Sequence, residues 1–391
     1  MIELLAPAGN LEKLKIAVLY GADAVYIGGK KFSLRARASN FTIPDIRAGA
    51  AFCHEHGAKV YVTVNIVPHG EDFAGLSEYL RDLENAGVDG IIVTSMDYAR
   101  VAKEVAPKLE LHLSTQFSAS NSAALNFFKE LGFQRAVLAR EVGLKEIAEI
   151  GKHTDIDLEV FIHGGMCVAY SGRCMLSNHM TDRDANRGGC AHSCRWLYSL
   201  RKDGLEISDR FRIGSKDLEA LRAVPELMRL GVKALKIEGR MKSVHYIATV
   251  VRAYRMLIDE YLRTGRVSDF AFYEEELLKA ENRSACTGFL FGSPGPEGHL
   301  YDESAGPSND FLGIVLDYDE KTGIVTAEQR NNFGTGAEVE FFGPKLANTR
   351  FRIGELYDGN MEPLDVARHP RQVVKFPVPF KLNRYDMFRR V

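Results

Sequence analysis

The sequence predicts an α/β protein: a (β/α)8 barrel of the TIM type with a long cysteine-bearing insertion after its seventh strand, then a small C-terminal antiparallel β-barrel domain. Three observations predict this. Eight short apolar runs alternate with longer amphipathic ones, the rhythm of repeated strand–helix units. The phrases LYGADAVYIGG, NAGVDGIIVTS and RLGVKALKIEG repeat one design: helix end, glycine, small turn, β-branched strand. No GxGxxG follows the first strand, which weakens the alternative of an open dinucleotide-binding sheet.

Taken in order, the first strand is expected at Glu3–Leu5 and its helix at Leu11–Tyr20, stopped by Gly21. The second strand, Ala24–Ile27, leads to a helix over Pro44–His56 that ends at Gly57. The third, Val60–Ile66, feeds a helix over Phe73–Ala86 and Gly87. Gly90–Thr94 and Leu111–Ser114 are the fourth and fifth strands, with a helix over Ser118–Leu131 closed by Gly132. Ala136–Ala139, Leu158–Ile162 and Ala234–Ile237 complete the eight, the last preceded by a helical pattern over Leu218–Leu230 and Gly231. Glycine suits those helix ends because a left-handed cap costs it nothing. SVHYIATVVRAYRMLIDEYLRTG reads as the eighth helix.

The domain limits follow: a barrel over 1–265, a helical and irregular connector over 266–310, and a small β-barrel domain over 311–391. The connector holds GSPGPEGHLYDESAGPSND, dense in Gly, Pro, Ser and Asp. Beyond it, FLGIVLDYDEKTGIVTAEQ, AEVEFFGP and VVKFPVP alternate as short strands do.

Formal charge is −2, so any nucleic-acid contact must come from a local patch. Residues 345–391 offer one, with ten Lys or Arg against five acids. Phe351, Tyr357, Phe376, Phe380, Tyr385 and Phe388 are interleaved there, as base-stacking platforms or as core. No basic leader precedes an apolar run and no stretch approaches ~18 apolar residues, so a cytoplasmic protein with reduced thiols is expected and no membrane span.

Four of the six cysteines, Cys167, Cys174, Cys190 and Cys194, fall in one segment spaced C-x6-C-x15-C-x3-C. They follow the seventh strand and so emerge at the C-terminal face, where such barrels put their active sites. The loop from Gly164 to about Asp209 far exceeds the usual ~2–6 residue connection. WLYSLRKDGLEIS within it reads as a hairpin turning at Asp203-Gly204. Zinc ribbons favour paired C-x2-C knuckles, absent here, whereas iron–sulfur clusters accept irregular spacing. Spacing alone leaves an iron–sulfur cluster, zinc and thiol catalysis open. Cys53 lies on an apolar helix face and reads as core; Cys286 is a substitute ligand only if its loop folds over the barrel mouth.

EVFIHGGMCVAYSGRCMLSNHMTDRDANRGGCAHSCRW resembles the signature of the U32 family, long labelled collagenase-like peptidases. ELLAPAGNLEKLKIAVLYGADAVYIGG, FSLRARASNFT, LSTQFSASN, VLAREV and LKIEGRMKS agree, and the resemblance runs along essentially the whole chain. It is strongest to the family's tRNA hydroxylation branch. The resemblance implies oxygen-independent, prephenate-dependent hydroxylation of the wobble uridine, in the tRNA anticodon loop, to 5-hydroxyuridine. It also implies a [4Fe-4S] cluster on Cys167, Cys174, Cys190 and Cys194, zinc being the alternative occupant. Relatives act on a 23S ribosomal RNA cytidine or a quinone precursor, and the peptidase label gives the competing activity.

Barrel logic nominates residues at the C-terminal ends of strands. Gln116, Arg140, Glu141, His163 and Glu238 are the catalytic candidates, with His163 a possible hydrogen-bond partner beside the cluster. Arg35, Arg37, Asn65 and Arg240 are the substrate-binding candidates, the arginines gripping a small dianionic co-substrate by forked contacts. The charge run Asp182, Arg183, Asp184 and Arg187 reads as a lid or a solvated loop.

Overall fold

The computed structural model describes residues 2–34, 40–280, 283–301 and 311–391. Strands and helices alternate from the N-terminus: β1 (Glu3–Pro7), α1 (Leu11–Leu19), β2 (Ala24–Gly28), α2 (Ile43–Glu55), β3 (Lys59–Val64) and α3 (Leu76–Asn85). They continue as β4 (Gly90–Val93), α4 (Met96–Val105), β5 (Glu110–Leu113), α5 (Ser122–Glu130), β6 (Arg135–Val137), α6 (Leu144–Lys152) and β7 (Asp157–Gly164). The insertion contributes α7 (Leu176–Thr181), the ribbon β8 (Arg201–Lys202) and β9 (Leu205–Glu206), then β10 (Asp217–Glu219) and α8 (Val224–Arg229). β11 (Ala234–Ile237) is the eighth barrel strand. It pairs in parallel with both β7 and β1, which closes the barrel.

All eight expected barrel strands form, with ends shifted by two residues at most. The hairpin forms as well: Asp203 and Gly204 both take positive φ, the conformation a two-residue turn needs to match strand twist. The helix expected over Leu218–Leu230 is corrected. Its first residues pair antiparallel with the end of β7, Leu218 opposite Gly164, and only Val224–Arg229 is α-helical. Long-range pairing outweighs local helix propensity there. The helix expected from Ser118 starts later, at Ser122, because the Asn121 side chain accepts from the Ala124 N–H and caps it.

α9 (Val244–Thr264) covers the closing seam; α10 (Phe270–Leu278), β12 (Ala285–Cys286) and α11 (Gly295–His299) follow. The C-terminal strands are β13 (Phe311–Asp319), β14 (Ile324–Gln329), β15 (Phe333–Gly334), β16 (Glu338–Phe342), β17 (Thr349–Arg352), β18 (Tyr357–Asp358), β19 (Val366–Ala367), β20 (Val373–Pro377) and β21 (Met387–Arg390). Seven of them form an antiparallel half-barrel sheet in the order β17-β16-β21-β13-β14-β20-β18; β15 and β19 pair separately. Phe376 and Phe388 are fully buried with Phe341 in its core, and Phe351 and Phe380 pack against that core. These rings are spent on packing rather than presented to a ligand.

A buried ionic joint ties this sheet to the barrel. Arg389 donates to Glu276 of α10 at 2.8 Å and to Glu340 of β16 at 2.8 Å, and Arg252 of α9 donates to the Gly343 carbonyl at 3.0 Å. Among the described residues, no helix is long and apolar enough to cross a membrane.

Candidate active site

The C-terminal ends of the barrel strands and the insertion after β7 enclose a cavity of about 960 Å³. All four clustered cysteines line it. Cys174, Cys190 and Cys194 are half-buried, while Cys167 is exposed where it lines the cavity. Burial raises the Cys167 and Cys194 thiols, and each is raised further by the neighbouring cysteines, Cys174 and Cys190 among them. The four thiols therefore share one space. Among the described residues, no three His, Cys, Asp or Glu side chains close on a single metal ion. Cys53 is buried in the barrel wall, and Cys286 on β12 does not line the cavity.

Contacts across the barrel top hold the insertion in place. Arg187 pairs with Asp72 and donates to the Val67 carbonyl at 3.0 Å, pinning the cysteine loop to the segment after β3. The Arg183 guanidinium donates to the Cys190 carbonyl at 3.3 Å, and the Asn186 amide to the Cys174 carbonyl at 3.2 Å. The charge run predicted as a lid or solvated loop thus acts as a clasp. Gly172, at φ 74°, lies against the Gln116 carbonyl at a distance that leaves no room for a Cβ, so the loop packs directly on the end of β5.

The candidates divide by position. Asn65, Gln116, Arg140, Glu238 and Arg240 line the cavity with the cysteines. Gln116 Oε1 accepts from Asn65 Nδ2 at 3.1 Å and Thr94 Oγ1 at 3.3 Å, which leaves the Gln116 amide nitrogen to donate to a ligand. Arg140 lies over the Phe161 ring, donates to Ser171 Oγ at 3.1 Å and stands 3.8 Å from Glu238. Arg240 donates to Ser33 Oγ at 3.0 Å and Asn40 Oδ1 at 2.6 Å, with Gly28 packed under its guanidinium.

Glu141 and His163 do not line the cavity. Burial raises the Glu141 carboxyl. His163 is buried beneath α9, with Nδ1 3.3 Å from the Tyr254 hydroxyl, and burial pushes it down to about 3, so it stays neutral near pH 7. Arg35 and Arg37 lie outside the described residues.

Lys236 is the residue that sequence reasoning passed over. It sits on β11 one pleat from Glu238 and two from Arg240, and all three face the cavity. Its Nζ donates to Glu159 Oε1 at 2.6 Å, between the rings of Tyr26 and Phe161. Burial alone would raise the Glu159 carboxyl, but Lys236 and Arg135 outweigh it and hold that carboxyl below its usual range. Period-two spacing in LKIEGR was the signal available for finding it. Among the described residues, seven cations line the cavity: Arg140, Lys236, Arg240, Lys242, Arg195, Arg212 and Arg283. Glu238 is the one acid lining it among the described residues. Behind the lining, Glu159 pairs with Lys236, and Asp217 pairs with Lys242 and Arg283.

The peptidase family U32 model matches residues 9–300 and the model of that family's C-terminal domain matches residues 307–389. The chain belongs to peptidase family U32. It is 50% identical to tRNA hydroxylation protein P1 of Bacillus subtilis, over 99% of this chain and 94% of that protein. A family member of Escherichia coli named as a 23S rRNA 5-hydroxycytidine synthase is 39% identical, over 66% of this chain and 39% of its own length. Porphyromonas gingivalis has a U32 relative named collagenase, 33% identical over 88% of this chain and 86% of that protein.

Proposed function

We propose that this chain is an RNA-modifying enzyme that hydroxylates the wobble uridine of tRNA to 5-hydroxyuridine, with a [4Fe-4S] cluster and prephenate as co-substrate. The observation that carries the reading is the meeting of four thiols and seven cations around one cavity. Full-length similarity to a tRNA hydroxylation protein supplies the substrate class.

Cys167, Cys174, Cys190 and Cys194 would hold the cluster, each as a thiolate. Thiols lose their proton on binding iron, and the cations lining the cavity favour the resulting negative charge. When bound, the cluster supplies one-electron redox capacity next to the substrate. Arg140, Lys236 and Arg240 form a cationic floor for the two carboxylates of prephenate, with Arg140 offering forked contacts. Asn65 and Gln116 present amides to the edge of a flipped-out pyrimidine. Glu238, 3.8 Å from Arg140, is the acid available to hold or pass a proton at the reacting ring.

The collagenase-named relative supports peptide hydrolysis as a second reading. A thiol protease needs one nucleophile beside a base, whereas four thiols line this cavity together, so hydroxylation fits the site better. Nucleoside mass spectrometry of tRNA from a deletion strain tests the proposal. The wobble hydroxyl should be lost, then restored by the wild-type gene but not by Cys174→Ala. Unchanged tRNA with altered ribosomal RNA would move the substrate, and no change in either would end the hydroxylase reading.

A further inference from the structure

The half-barrel sheet was the expected place for RNA contact, but Phe351, Phe376, Phe380 and Phe388 are spent on its core. A run of exposed apolar side chains with one indole lies instead on the insertion. Its ribbon runs from Tyr198, paired with Phe211, to the turn at Asp203-Gly204. Leu200, Leu205 and Ile207 are all exposed, Leu205 to 73%, and the Arg201–Glu206 and Lys202–Leu205 pairing puts them on one face with Lys202. Trp196, 42% exposed, stands at the base of the ribbon, next to Arg195 and two residues from Cys194, both of which line the cavity. A bare apolar surface of this kind marks an interaction site.

The cations at the root and along the ribbon select the partner. Within residues 196–211 three Lys or Arg (Arg201, Lys202, Arg210) balance three acids (Asp203, Glu206, Asp209), and Arg195 and Arg212 at the root, both lining the cavity, add a surplus of two. Among the described residues, no acid forms an ion pair with Arg201, Lys202 or Arg210, and all three are exposed. Cations with an aromatic ring and an apolar edge suit the backbone and unstacked bases of single-stranded nucleic acid.

We infer that the ribbon over residues 196–211 is an RNA-gripping arm. Arg201, Lys202 and Arg210 hold phosphates of an unpaired loop, and Trp196 stacks on a base at the cavity mouth. This rests on the RNA-modification reading and adds where the RNA is held. The apolar face of the ribbon packs against the splayed bases, and its root at Cys194 fixes the distance from the gripped loop to the thiols.

Trp196 is the only tryptophan in the chain, so its emission reports on the arm alone. Titrating the full-length protein with unfractionated tRNA should quench that emission. Arg201→Glu, Lys202→Glu and Arg210→Glu combined should weaken filter binding at least about tenfold and flatten the salt dependence by roughly two log units per log unit of salt. Trp196→Ala should weaken binding by about fivefold or more. The substituted side chains are exposed, and an unchanged circular-dichroism melt confirms folding. If tRNA binds with unchanged emission and the triple variant binds as tightly as wild type, the arm is refuted while the RNA reading stands. If wild type binds no tRNA, both fail. If Leu200→Ser, Leu205→Ser and Ile207→Ser together dissociate an oligomer without weakening RNA binding, the face is a self-association surface and the inference is overturned.

Discussion

Lys236→Met tests the barrel floor. Lys236 is 4% exposed and its partner Glu159 0%, so removing the cation strands a carboxylate in the lumen. Breaking a buried ion pair from one side costs about 3–5 kcal/mol. Arg135 still lies 3.4 Å from Glu159 while also bonding Glu3, so the cost should fall at the lower end. About 3 kcal/mol corresponds to a roughly 150-fold shift in the unfolding equilibrium. Urea midpoints at pH 7 measure it, with the slope monitored for changes in the denatured state. Adding Glu159→Gln removes the stranded charge, and the double-mutant cycle should show a coupling of about 2 kcal/mol. Because Glu159 is held below its unfolded value, the wild-type advantage is present above about pH 4.3 and fades as pH falls through the folded value. A loss under about 1 kcal/mol, or strict additivity in the cycle, would refute a lumen organised around this pair.

Three further outcomes are expected. His163 and His245 are both pushed down to about 3 by burial, so the unfolded chain takes up protons first as pH falls below ~6.5. Stability is full above that pH and drops toward about pH 3, by up to ~1.4 kcal/mol per pH unit for each histidine, and His245→Phe should flatten the drop in urea midpoints. Arg389→Met leaves Glu276 and Glu340 facing each other with one cation fewer and should cost about 3–5 kcal/mol, read as a lower thermal midpoint. Gly28→Ala places a methyl group against the Arg240 guanidinium; it should cost about 1–3 kcal/mol and weaken prephenate binding in calorimetry, whereas normal binding would remove Arg240 from the carboxylate floor.

Much of the fold was legible because the barrel repeats one local design. Each strand is a short buried run, and each announced helix end carries a glycine that takes positive φ. β10 was not legible, because its strand character comes from pairing with β7, far away in sequence. The site was readable where it depends on position along a strand: Gln116, Arg140, Glu238 and Arg240 reach the cavity as barrel geometry requires. His163 also ends a strand, yet Tyr254 of α9 covers it, and nothing local reveals a covering helix 91 residues onward. Spacing could not say whether the four cysteines face one cavity. They line it from a loop that the Arg187–Asp72 pair, between segments 115 residues apart, ties to the barrel.

The reading depends most on iron held by four sulfurs at the open end of the barrel. Full-length protein purified without oxygen should be brown, with a broad band near about 400 nm and about four iron and four sulfide per chain, all lost in Cys174→Ala. A colourless wild-type protein carrying a single zinc would contradict it.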